Sequence, residues 1–274
     1  MLRGSIRALK LARESLRGER MRCSRTLLPA ILLGLTWGEA TAQSTLADNS
    51  VVPVGLLVIQ PTRLPPSLER FEGQDVFLPI AFGTGFVVSE TGYVVTALHV
   101  INRAKAILPT IQSSAKEMVV CLGVSPEPLD CEEVMIAASD ESNDLALLKI
   151  KKARLAEALR PVHLSAERPL RGTEVWAAGY SERTAGRLVV ATGTFSQEDE
   201  PADSPASRMW LANLVVENGD SGSPVYLHDG SVIGMVVTRS DSHTVTGFVP
   251  AQQVINLLVR NGVTTLLPDI SPLP

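Results

Sequence analysis

Aromatic side chains are scarce in this chain: phenylalanine, tryptophan and tyrosine together make up 4% of its 274 residues. Any core must therefore be built from aliphatic side chains. Valine and glycine are both plentiful, which favours strands and tight turns over helical bundles. A large excess of one charge is also missing. The formal net charge is −4 at pH 7, which gives no electrostatic case for nucleic-acid binding. There are three cysteines and four histidines, and none stands at the spacing of a zinc site or of a Cys-x-x-Cys redox motif. The sequence thus implies no metal and no cofactor. No internal repeat is present, and biased composition is confined to a proline patch at Pro61, Pro65 and Pro66 and the tail after Leu267. What remains is a chain of 45% apolar content, long enough for one large or two small domains.

Residues 1–42 read as a signal peptide. Arg20, Arg22 and Arg25 precede the apolar run from Leu27 to Leu35, and Ala40-Thr41-Ala42 has the small-x-small pattern of a signal-peptidase site. That run is roughly half of the ~20 residues a membrane span needs, so cleavage before Gln43 is expected rather than retention as an anchor. Initiation at Met21 gives a leader of ordinary length, with the first twenty residues an upstream extension; initiation at Met1 gives a long one. The mature protein is then exported, periplasmic or secreted, with no stable membrane insertion. Cys23 leaves with the leader. Cys121 and Cys131 remain, ten positions apart across the turn-rich run LGVSPEPLD, and read as a disulfide closing a hairpin loop in an oxidising compartment. Two reduced, buried cysteines are the alternative.

Short apolar runs punctuated by Gly, Pro, Ser and Asp give two sets of expected strands. The first set comprises Val54–Ile59, Ala81–Ser89, Tyr93–Thr96, Ala104–Leu108, Glu117–Leu122, Glu132–Ala137 and Leu145–Ile150. The second comprises Glu174–Ala178, Arg187–Phe195, Met209–Val215, Ser223–Tyr226, Ser231–Thr238 and Thr246–Pro250. Between them, KKARLAEALRP is helix-capable but ends at Pro161, and reads as a linker. After Pro250, AQQVINLLVRNG places Val254, Leu257 and Leu258 on one helical face and stops at Gly262. The expected fold is all-β: two six-stranded antiparallel barrels with a short C-terminal helix. Residues 43–160 form the N-terminal barrel, 161–250 the C-terminal barrel, and 251–274 the helix and tail. Whether residues 43–80 supply the first strand or mediate assembly is left open.

Three segments carry chemistry. NGDSGSPVY holds Ser221, GYVVTALHV holds His99, and SNDLALLKI holds Asp144. A serine hydroxyl is a weak nucleophile until an imidazole takes its proton, and that imidazole must be oriented by a carboxylate. His99 follows an apolar strand, whereas His163, His228 and His243 sit in polar or turn-rich contexts. Asp144, among Asp140, Glu141 and Asn143, is the acid poised at the entry of a buried strand. Gly219 and Gly222 let the chain around Ser221 turn tightly, so the Gly219 and Ser221 amides form the expected oxyanion hole. An α/β-hydrolase is disfavoured, because helices do not alternate with the strands and there the acid follows the serine.

With these residues laid out, the chain resembles the chymotrypsin-like (trypsin-fold) serine proteases, and within them the bacterial HtrA/Deg type. The segments that carry the resemblance are GTGFVVSETGYVVTALHV, NDLALLKI, LSAERPLRGTEVWAAGY, NGDSGSPV, and SVIGMVV followed by TGFVP and a helix. It covers roughly residues 80 to 260. It implies a serine endopeptidase acting on protein or peptide substrates, reduced to the protease domain without the usual PDZ domain. Two positions depart from the HtrA pattern: Asp220 stands where Asn is usual, and Ser223 where many relatives have Gly. The resemblance puts the base of the primary pocket at Val215, with Val237 and Gly247 on its walls and Arg239 at its rim. That set implies a preference for aliphatic side chains. A rival reading is a latent or inactive protein of the same fold that binds peptides or acts as a chaperone-like module. Oligomeric state is left open.

Overall fold

The computed structural model describes residues 47, 49–59, 76–112, 115–122, 130–152, 158–181, 187–199, 209–239 and 245–265. Its strands close two antiparallel barrels. The first contains β1 (Val51–Ile59), β2 (Val76–Ser89), β3 (Tyr93–Ala97), β4 (Ala115–Leu122), β5 (Asp130–Asp140) and β6 (Leu145–Ile150), in the order β1-β2-β3-β6-β5-β4. The second contains β7 (Glu174–Tyr180), β8 (Leu188–Asp199), β9 (Met209–Ala212), β10 (Pro224–Tyr226), β11 (Val232–Arg239) and β12 (Thr246–Pro250), in the order β10-β11-β12-β9-β8-β7. Closure removes the exposed edges that short valine-rich strands would otherwise leave. Two described helices accompany them, α1 (Leu98–Ile107) and α2 (Ala251–Arg260). The expected class, two six-stranded barrels with a C-terminal helix, is the one the chain adopts.

One expected strand is corrected. Ala104–Leu108 lies in α1 and in the single 3₁₀ turn Leu108–Thr110 that ends it. The run LHVINRAKAI buries Leu98, Val100, Ile101 and Ala104, a spacing of three and four that fits a helix. Reading Ala104–Leu108 alone hid that period. The segment left without a role also finds one in part. β1 pairs with β2 on one side and β4 on the other, so it closes the first barrel.

Cys121 and Cys131 stand opposite each other in the β4–β5 register with their sulfurs bonded at 2.00 Å. The second barrel concentrates the few aromatics. Trp176 and Tyr226 stack at 3.9 Å between centroids, and Phe195, Trp210 and Phe248 meet edge to face. Helix α2 buries Ala251, Val254, Leu257 and Leu258 and touches β11 and β12 of the second barrel and β5 and β6 of the first. Each fully buried leucine or valine there contributes on the order of 2 kcal/mol. Helix α2 therefore bridges the two barrels from outside. Among the described residues no helix is long and apolar enough to cross a membrane. The leader expected over residues 1–42 and His243 lie outside the described residues.

Candidate active site

His99 is the second residue of α1, directly after β3. No side chain at Ala97 caps this helix. Its first amides are satisfied instead by Asp144, in the turn between β5 and β6. The Leu98 amide donates to the Asp144 carbonyl at 2.9 Å, and the His99 amide donates to Asp144 Oδ1 at 2.8 Å. Asp144 Oδ2 then faces His99 Nδ1 at 2.6 Å. With Nδ1 donating, Nε2 of the neutral ring is left as the acceptor. Asp144 reaches this geometry with φ +52°, the one described non-glycine residue with positive φ, a conformation aspartate tolerates better than most residues.

A second aspartate shapes that turn. Asp140 accepts from Ser142 Oγ at 2.6 Å, from the Asn143 amide at 3.3 Å, from Asn143 Nδ2 at 3.1 Å and from Arg260 Nη2 of α2 at 2.8 Å. Burial pushes its carboxyl up, but the donors from Ser142, Arg260 and Asn143 outweigh burial and hold it at about 2. The turn that presents Asp144 is thus pinned to the C-terminal helix.

Ser221 comes from the other barrel, ahead of β10. The stretch before it, Glu217 to Asp220, is a turn closed by the Asp220 amide on the Glu217 carbonyl at 3.2 Å. Gly219, its third residue, has φ +97°, the mark of a type II turn rather than type I. The Asp220 side chain supports the same turn, its Oδ2 accepting the Glu217 amide at 2.7 Å. Asp220 is buried, so its carboxylate is held inside the turn that it supports. Around Ser221 the amides of Asp220, Gly222 and Ser223 all donate to carbonyls. Among the described hydrogen bonds, those of Gly219 and Ser221 have no acceptor, and none joins Ser221 Oγ to the His99 ring.

The two barrels nevertheless bring these segments together. A Cβ added at Gly83 on β2 would meet Val100, next to His99, at 2.6 Å and the Ser221 carbonyl at 3.1 Å. Gly222 is equally constrained: with φ +93°, its Cβ would fall 1.9 Å from the Thr84 carbonyl. Ser223 is buried, with no hydrogen-bond partner for its hydroxyl among the described residues.

The residues expected to line the primary pocket are more scattered. Val215 is 63% exposed. The Thr246 hydroxyl donates to the Leu214 carbonyl at 2.7 Å, which sets the Val215 segment beside β12 and its buried Gly247. Val237 is half-buried on β11, and Arg239 ends that strand opposite Thr246. The sequence reading missed Thr84 and Thr96, both wholly buried, and the contact of Arg260 with Asp140. A threonine set between glycines in an otherwise apolar run, as in GTGFVV, was the available signal.

The model of the trypsin-like peptidase domain matches residues 83–235, which span His99, Asp144 and Ser221. The chain belongs to the trypsin-like peptidase domain family. Relatives include a probable periplasmic serine endoprotease DegP-like of Chlamydia pneumoniae, 26% identical over 67% of this chain and 35% of that protein. Another is the magnetosome formation protease MamE of Magnetospirillum gryphiswaldense, 28% identical over 79% of this chain and 28% of that protein. The chain therefore spans about a third of the length of these curated relatives. As a fold, this trypsin-like domain is similar to the crystal structure of Deg5, with TM-score 0.61, 21% identity, and 85% and 99% of the two chains covered.

Proposed function

We propose that the protein is an exported serine endopeptidase that hydrolyses peptide bonds through an acyl-enzyme. The observation that carries this reading is Asp144 on His99 Nδ1 together with two amides, Gly219 and Ser221, that have no acceptor among the described residues. His99 Nε2 takes the Ser221 proton as Oγ bonds to the scissile carbonyl carbon. The developing oxyanion accepts from the Gly219 and Ser221 amides. His99 then returns the proton to the leaving amine as the C–N bond breaks. Water repeats the sequence on the ester, freeing Ser221 and the carboxylate product. Asp144 holds the ring in the required tautomer and stabilises the imidazolium.

Export is supported by the leader pattern, by the bonded Cys121–Cys131 pair, which suits an oxidising compartment, and by the periplasmic relative. For substrates we assign proteins or peptides with small or medium aliphatic residues before the cleaved bond, recognised by Val215, Val237 and Gly247 with Arg239 at the rim. The test is labelling of the mature protein with a fluorophosphonate probe, alongside Ser221→Ala and His99→Ala. Stoichiometric labelling of the wild type, lost in both variants, is expected. A folded wild type that does not label refutes the enzyme reading in favour of a latent or peptide-binding protein.

A further inference from the structure

Thr84 lies on β2 of the first barrel and is wholly buried. Opposite it in the β1–β2 register stands Pro53, which has no N–H to give to the ladder. The polar groups of Thr84 turn toward the other barrel and toward β3. Its amide donates to the Ser221 carbonyl at 2.9 Å. Its hydroxyl donates to the Gly219 carbonyl at 2.8 Å and accepts the Tyr180 amide of β7 at 2.9 Å. Its carbonyl accepts the Thr96 hydroxyl at 2.6 Å, three residues before His99. Gly222 must be a glycine because its Cα packs on that same carbonyl.

The two residues whose amides would face the oxyanion, Gly219 and Ser221, thus have both their carbonyls held by this one residue. A peptide unit is planar, so the held Gly219 and Ser221 carbonyls fix the peptide planes that run on to the Asp220 and Gly222 amides. With those planes anchored, the Gly219 and Ser221 amides just before them keep less freedom to turn. We propose that Thr84 is a positioning residue that holds the oxyanion turn in its donating form, through its side-chain hydroxyl, and couples that turn to the strand leading to His99. The proposal rests on the serine-peptidase reading of the site. Backbone bonds survive most substitutions of Thr84, so the hydroxyl is the part a variant can isolate. Thr84→Val keeps the shape but leaves the buried Gly219 carbonyl and Tyr180 amide without their partner.

The experiment compares wild type, Thr84→Val and Thr84→Ser by thermal melting, by fluorophosphonate labelling over a range of probe concentrations, and by amide hydrogen exchange. In Thr84→Val, the maximal labelling rate should fall about tenfold to a hundredfold. The half-saturating concentration should stay within about twofold, since the interaction acts on the transition state. Thr84→Ser, which keeps the hydroxyl, should restore most of the rate. Exchange at Asp220, Gly222 and Ser223, and at Tyr180, should speed up about tenfold or more in Thr84→Val while β6 and the rest of β7 keep their protection. An undiminished rate in Thr84→Val, or a loss that Thr84→Ser shares in full, overturns the proposal. If the wild type itself does not label, the enzyme reading fails separately and exchange alone decides, unchanged protection counting against the clasp. Should Thr84→Val fail to fold, Thr84→Ala takes its place with the same readouts.

Discussion

Asp144 holds His99 at two points, through the ring at Nδ1 and through the backbone amide, with one carboxylate oxygen for each. The proposed acid of the site is therefore also the cap of the helix that carries the proposed base. Orientation of the imidazole and the start of α1 depend on the same side chain, which separates two substitutions that are usually pooled.

Asp144→Asn keeps an oxygen for the His99 amide and tolerates the positive φ, but places an NH₂ against Nδ1. The ring is then driven to the other tautomer, and the maximal labelling rate should fall roughly 10⁴-fold with little change in melting. Asp144→Ala loses the cap as well and should cost about 1 to 2 kcal/mol of stability. Equal melting temperatures for the two variants would contradict the capping role.

Gly222→Ala should be severe. Its Cβ would sit 1.9 Å from the Thr84 carbonyl and 2.7 Å from Thr96 Oγ1, at a φ of +93°. We expect loss of more than about 3 kcal/mol or no folded protein. A soluble variant within a few degrees of the wild-type melting temperature would show that the two barrels separate readily here.

Asp140 makes the structure acid-sensitive in a narrow window. Its carboxyl is held at about 2 against an ordinary 3.8, so the stability it contributes is present above pH 4 and lost as pH falls through that interval. Arg260→Gln removes one of the donors that lower it. Because the guanidinium is largely exposed, the cost at neutral pH should be roughly 1 kcal/mol or less. The acid transition should begin at higher pH, as followed by circular dichroism. An unshifted acid limb would mean that Ser142 and Asn143 suffice.

Tyr226→Phe should be harmless or stabilising. The phenol stacks on Trp176 but its buried hydroxyl has no hydrogen-bond partner among the described residues, and burial pushes its pKa up. Removing it spares a desolvation penalty of about 1 kcal/mol, a rise of roughly 3 °C in melting temperature. A clear drop in calorimetry would reveal a water or a partner at that oxygen.

Most of the strands were legible because short apolar runs bounded by turn residues stand out in the sequence, as in Leu145–Ile150 and Thr246–Pro250, which are buried almost throughout. Ala104–Leu108 was misread because its helical period runs back to Leu98, beyond the window of an apolar pentapeptide. The turn at Glu217–Asp220 could be anticipated from its glycine but not its type, since a glycine permits φ of either sign.

By itself the sequence determined which residue types stand where: a histidine after a buried strand, an aspartate before another, a serine between glycines, and enough alternating aliphatic residues for two barrels. These are local properties, set within a few residues of each position. Tertiary structure alone decided that Asp144 adopts a positive φ to reach two atoms of His99, that Gly219 takes the type II conformation, and that Asp220 answers the Glu217 amide. It also decided that Thr84 reaches Gly219 across 135 positions of chain. The Thr84 bond depends on the approach of one closed barrel to the other, the Asp144 bonds on the meeting of the β5–β6 turn with α1 inside the first barrel, and the Asp220 bond on the turn it closes. The partners acquire their directions only once those parts have folded.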